Sequence, residues 1–194
     1  MTSTELDNIR AEMDAILVAA AGEGQLDEQF GQLLSLQVRK KKRDPLARFF
    51  SAAVLTQHPA PHPLFFPPPK DADNPDFVAE VATLYFTDSA DKLDRLLARL
   101  GGGSGDPAAG TAPPPPPWAE VDGAIHQFKG ASASFGAAAV VGGCVRAREA
   151  CAVGDGAAVA ALLAGTRDAF NALRGRMEAY LALDARRKAL ERGR

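Results

Sequence analysis

The sequence predicts an all-α protein, an antiparallel four-helix bundle with two additional N-terminal helices. Three observations carry that expectation. Apolar residues recur at three- and four-residue spacing along six segments, glycine or proline punctuates the joints between them, and no stretch shows the alternation of a strand. At 194 residues the chain is long enough for one domain with a real hydrophobic core.

The first segment sets Leu6, Ile9, Met13, Ile16, Leu17 and Ala20 on one face and stops at the flexible GEG of residues 22–24. A shorter second stripe runs through Leu26, Phe30, Leu33, Leu34 and Gln37, with Asp27 in its first turn, where a negative charge suits the helix dipole. From Asn74-Pro75 onward a long third segment carries Phe77, Val81, Leu84, Tyr85, Leu93, Leu96, Leu97 and Leu100, and ends at GGG. Trp118, Val121, Ile125, Phe128, Ser132 and Phe135 form the fourth stripe, closed by Gly136. The fifth, Val140, Val141, Cys144, Val145, Arg148 and Cys151, reaches the VGDG of residues 153–156. The last runs from Val159 through Leu162, Leu163, Thr166, Phe170, Leu173, Met177 and Tyr180 to Leu181, and a basic tail follows, as the dipole prefers at a helix C-terminus.

Two stretches fall outside this scheme. Residues 101–117 are Gly-rich and then Pro-rich, a flexible spacer running into a stiff polyproline linker. Residues 38–73 are a basic run followed by a Pro-rich apolar segment without amphipathic design, and read as a disordered insertion between the helices of 1–37 and the bundle of 74–194. His58 and His62 lie there four residues apart, but prolines leave no helix to bring them together as metal ligands.

Composition narrows the function classes. Twenty-two Lys and Arg against 24 Asp and Glu give a net charge of −2, without the basic excess that a nucleic-acid partner requires. The N-terminal segment is acidic throughout and does not read as a signal peptide, and no run is apolar enough for a membrane span, so a soluble intracellular protein is expected. Cys144 and Cys151, seven residues apart, sit two turns apart on one side of a helix, too distant to bond, and are expected to be reduced and buried.

The candidate site lies in IHQFKGASASFG, residues 125–136. His126, Lys129 and Gly130 share a helical patch that Gly123 and Ala133 extend, while the core stripe passes through Ile125 and Phe128. His126 therefore points outward. Each helix glycine costs about 1 kcal/mol relative to alanine, so Gly123 and Gly130 beside one imidazole point to a bare surface kept open for a partner's active site. An imidazole with an ordinary pKa near 6.5 is substantially neutral at cytoplasmic pH and can attack phosphorus without a dedicated base. Lys129, one turn away, can neutralise the phosphate acquired. Asp122 is the one carboxylate on that face within a turn, too few to hold a metal there.

HQFKGASASFGA, residues 126–137, resembles the His-x-x-Lys-Gly-Ser/Ala motif of plant-type histidine-containing phosphotransfer proteins of the cytokinin and two-component phosphorelay. The likeness extends in order through LDEQFGQLLSLQ at 26–37, PDFVAEVATLYFTDSADKLDRLLARL at 75–100, VDGAIHQFKG at 121–130, the spacing of Cys144, Arg148 and Cys151, and the long final helix. The resemblance implies that His126 is the phosphorylated residue, Lys129 its charge partner, Gly130 the clearance residue and Gln127 a polar neighbour at the docking surface. It also implies the partners: receiver domains of hybrid sensor histidine kinases as donors and response regulators as acceptors. No cofactor is expected on this chain, which is not an autonomous enzyme; Mg²⁺ is expected on the partner receiver domain. A monomer that moves between cytoplasm and nucleus completes the expectation.

One departure stands out. In the family the second helix is followed within a few residues by PDF, whereas here residues 38–73 intervene, holding seven basic and three acidic side chains. That segment reads as a retained intron or gene-model error, with a nuclear-import signal or a solvated loop as alternatives. Two other functions remain at this stage. A non-transferring docking scaffold would bind receivers without passing phosphate, and an enzyme using His126 as general base would need a nucleophile or oxyanion-stabilising motif that the sequence does not supply.

Overall fold

The computed structural model describes residues 3–37, 74–101 and 117–193. The insertion at 38–73, with His58 and His62, and the interior of the 101–117 spacer lie outside the described residues, so the boundaries expected there are untested. Six helices make up the described fold: α1 (Ser3–Gly22), α2 (Glu28–Gln37), α3 (Phe77–Gly101), α4 (Trp118–Phe135), α5 (Ala138–Ala152) and α6 (Gly156–Arg192). All are α-helical, as the periodicity predicts. None of them is long and apolar enough to cross a membrane.

Helices α3 to α6 form an up-down-up-down ring in which each packs against its neighbours. Cross-helix pairs fix the directions: Arg99 near the end of α3 meets Glu120 at the start of α4, and Lys188 near the end of α6 meets Asp76 just before α3. Helix α1 lies against the long α6, burying Leu6, Ile9, Met13, Leu17 and Ala20, and so extends the bundle beyond the reach of α5. Helix α2 packs on α3 and α4.

An aromatic cluster fills the centre. The rings of Tyr85 and Phe135 stack at 4.4 Å, with Phe86 5.4 Å from Phe135 and Phe170 5.9 Å from Tyr85. Phe30 joins from α2 at 5.3 Å from Phe135. Fully burying one such ring is worth about 1.5–3 kcal/mol, which makes this cluster the main tie between α2, α3, α4 and α6. The Tyr85 hydroxyl finds its partner by donating to Ser132 Oγ at 3.0 Å, and Ser132 donates onward to the Phe128 carbonyl at 2.9 Å. Burial raises the pKa of the Tyr85 phenol, so it stays a donor.

The stripes hold in four helices, turn in the first half of α3 and shift in α5. Leu84, expected in the core, is 71 % exposed, and Phe77 and Val81 are only half-buried; the buried face instead runs Val78, Ala82, Tyr85, Phe86, Ser89, Leu93 and Leu96. Small Ala82 and Ser89 mark that face because α4 and α6 come close, and small residues carry little hydrophobic signal in a sequence. Val145 on α5 is likewise exposed, and Arg148 is half-buried beside the core; Gly143 and Ala147 complete that helix's buried side.

Two glycines set the spacing. Gly136 ends α4 in the left-handed conformation, φ 86°, and a Cβ there would fall 2.4 Å from the Phe30 amide nitrogen. Its carbonyl accepts the Asp27 amide at 2.9 Å, and the Asp27 side chain in turn accepts the Gln29 amide, also at 2.9 Å. Asp27 therefore caps α2 from just before its first residue, rather than sitting inside the first turn. Gly143 is the second: a Cβ there would lie 2.2 Å from Thr166 Oγ1, so α5 and α6 touch backbone to side chain.

Gly143→Ala should therefore lower stability by about 1–3 kcal/mol, as overpacking does, although alanine is the better helix former. Urea unfolding of the single variant and of Gly143→Ala with Thr166→Ala reads the effect. The second substitution should recover most of the loss, and an unchanged single variant would show that the approach is not tight.

Candidate functional site

Helix α4 presents two faces. Val121, Ile125, Phe128, Ser132 and Phe135 are buried, whereas His126, Gln127 and Gly123 are exposed and Lys129, Gly130 and Ala133 half-buried. The six residues predicted for the site thus share the open side of α4. A Cβ built on Gly123 or on Gly130 meets nothing within 4 Å, so neither glycine is required by packing among the described residues. Their lack of side chains keeps the surface flanking His126 low.

The structure adds two residues that sequence reading did not place in the site. Arg148 reaches across from α5 and grips Asp122 with both edges of its fork, Nε to Oδ1 at 2.7 Å and Nη2 to Oδ2 at 3.0 Å. Its remaining nitrogen, Nη1, lies 3.3 Å from His126 Nδ1. The guanidinium only donates, so in this contact Nδ1 accepts and a neutral ring carries its proton on Nε2. The signal for this arrangement was present: Asp122 precedes His126 by one helical turn, and Arg148 stands out in an otherwise apolar stripe. Pairing them required the α4–α5 register.

Asp122, Lys129, Arg148 and Glu149 line an open groove of about 560 Å³ between α4 and α5, with Trp118 and Val145 as its apolar rim. The Arg148 hydrogen bonds hold the Asp122 carboxyl below the usual carboxylate range. A depressed carboxylate pKa means that the clamp is fully formed above the ordinary range and is lost only as pH falls through the lowered value. Cys144 and Cys151 are free and buried, and burial pushes the Cys144 thiol up to about 12. Neither thiol is an activated nucleophile. The exposed His126 imidazole is the side chain at this site that brings nucleophilic ring nitrogens to the surface.

Residues 80–182 match the Hpt domain family. The chain is 33% identical over 111 residues to histidine-containing phosphotransfer protein 4 of Arabidopsis thaliana, covering 57% of this chain and 79% of that protein. It is 28% identical over 185 residues to histidine-containing phosphotransfer protein 2 of Oryza sativa subsp. japonica, covering 94% of each. The crystal structure of a histidine-containing phosphotransfer protein from maize superposes with a TM-score of 0.65 at 26% identity, over 92% of this chain and 98% of that one.

Replacing Gly130 with leucine should raise stability by several tenths of a kcal/mol through helix propensity, since open space receives the side chain, while weakening the docking of a receiver domain over His126. Thermal melts and titration calorimetry read the two effects, which should move in opposite directions. Equal or tighter receiver binding would show that the glycine serves another purpose.

Proposed function

We propose that this chain, which belongs to the histidine-containing phosphotransfer family, accepts a phosphoryl group on His126 from the receiver domain of a hybrid sensor histidine kinase and passes it to an aspartate of a response regulator. The supporting observation is the placement of His126: an exposed imidazole on a stretch of α4 whose neighbours, Gly123 and Gly130, leave room for a second protein's active site. A partner aspartyl phosphate can therefore approach Nε2 along the open face.

The step is an in-line displacement. With the ring proton on Nδ1, the Nε2 lone pair forms a bond to phosphorus while the P–O bond to the partner's aspartate breaks, its electron pair leaving with the carboxylate. Lys129, one turn along α4, supplies positive charge for the phosphoryl oxygens. Ile125 and Phe128 anchor the helix from beneath, so the ring is presented on a rigid element rather than a loop. Gln127 offers a polar contact at the docking surface, and Ala133 continues its low relief.

The chain is a phosphotransfer intermediate of a two-component relay. We assign to its partner the remaining transfer chemistry, including an Mg²⁺ ion in the receiver domain that offsets charge on the phosphoryl oxygens. Cytokinin signalling, action as a monomer and passage between cytoplasm and nucleus belong to the same reading.

Incubating the full chain with a phosphorylated receiver domain tests it. The wild type should acquire acid-labile phosphate, and His126→Gln should keep the fold yet acquire none; undiminished labelling of that variant would contradict the assignment. Lys129→Ala should slow transfer without altering the melt, and an unchanged rate would reduce the lysine to a solvated surface charge.

A further inference from the structure

We propose that Arg148, oriented by Asp122, is a positioning residue that bars a proton from Nδ1 of His126 and thereby sets the lifetime of the phosphohistidine. The inference rests on the reading of His126 as phosphoryl acceptor and concerns the opposite nitrogen of the same ring. Three distances carry it. Asp122 occupies Nε and Nη2 of the guanidinium at 2.7 and 3.0 Å, which leaves Nη1 aimed at Nδ1 at 3.3 Å. A guanidinium has five N–H donors and no acceptor, so an Nδ1 that faces it must be without a proton. The Asp122 hydrogen bond raises the Arg148 pKa further, and the donor is permanent.

Among the described residues, Arg148 contacts the ring, and the neighbouring groove is lined by the charged groups Asp122 and Lys129 of α4 and Arg148 and Glu149 of α5. Helices α2 and α3 pack on the other side of α4, where Glu120 is engaged by Arg99. Both oxygens of Asp122 are occupied by Arg148.

Proton position decides what the ring does. For Nε2 to attack phosphorus, its lone pair must be free, and the ring proton must sit on Nδ1. Arg148 must then release the ring while keeping Asp122. As the N–P bond forms and the P–O bond to the partner aspartate breaks, the ring is left with phosphoryl on Nε2 and a proton on Nδ1, a cation from which phosphoryl departs readily because neutral imidazole is the leaving group. Loss of the Nδ1 proton to water gives the neutral phosphoimidazole, and Arg148 Nη1 then donates to the vacated Nδ1. Departure of phosphoryl from that species would have to expel an imidazole anion, a much poorer leaving group. The Arg148 contact thus protects the bound phosphoryl from hydrolysis until docking moves the guanidinium aside.

The test is the pH profile of phosphohistidine hydrolysis in the full chain, loaded by a phosphorylated receiver domain, freed of it, and followed by phosphorus NMR. Arg148→Met removes the donor at similar length, and Asp122→Asn loosens its aim while keeping its shape. In the wild type, hydrolysis should accelerate only toward acid pH. In Arg148→Met the profile should move toward neutral pH, with a lifetime at neutral pH shortened several-fold. Asp122→Asn should shift it the same way by less. Superimposed profiles, or a longer-lived phosphohistidine in Arg148→Met, would overturn the proposal while leaving His126 as acceptor. Nitrogen NMR of the unphosphorylated wild type gives an independent reading. A neutral ring protonated on Nε2 is expected, and one protonated on Nδ1 would also overturn it. Failure of the wild type to take phosphate at all would remove His126 as acceptor and the proposal with it.

Discussion

Helix α4 has to be held firmly on one side and left bare on the other. Ile125 and Phe128 are fully buried, and the two residues between them, His126 and Gln127, are exposed. That contrast across four consecutive positions depends on the register of a single helix. The register is fixed at the C-terminal end, where Gly136 turns the chain and meets the start of α2, and in the middle by the Phe128 and Phe135 rings in the aromatic cluster. At the N-terminal end, Trp118 lies over Gly156 across the turn between α5 and α6. A rotation of α4 by one residue would carry His126 toward the core and put Phe128 in water.

The second helix of the site is held just as closely. Gly143 lets α5 approach Thr166 on α6 so nearly that no Cβ would fit. On the far side of α5 this places Arg148 within reach of both Asp122 and His126. Core packing and site geometry are therefore linked: the same approach that closes the bundle sets where the guanidinium falls. The surface ion pairs that accompany the packing, such as Arg186 with Glu5 and Arg174 with Glu178, are solvent-exposed and contribute little to stability.

Much of this was legible in the sequence because helices announce themselves locally. Periodic apolar residues, a proline before α3 and glycines after α1, α3 and α4 place the helices, four of them with their buried faces correct, and HQFKG places the imidazole. The misreadings share a physical cause. Leu84 was assigned to the core because it is large and apolar, whereas the face that is buried carries Ala82 and Ser89, whose value lies in being small where helices approach. Gly143 carries no signal until its neighbour on α6 is known. Arg148 was read as part of a stripe because its partners are 22 and 26 residues away in sequence, and only the α4–α5 pairing brings them together. The ionic knot of buried Asp184 with Arg187 and Lys188 escaped notice for the same reason, since its burial depends on packing around the last turns of α6.

One nitrogen atom, Nε2 of His126, carries the proposed transfer. Nitrogen–phosphorus NMR of the isotopically labelled chain, charged by a receiver domain, locates the phosphoryl group directly through its one-bond coupling. A coupling at Nε2 of His126, with Nδ1 bare, is the predicted result. Phosphorus bonded to Nδ1 of that ring, or to another residue such as His58 or His62, would contradict it.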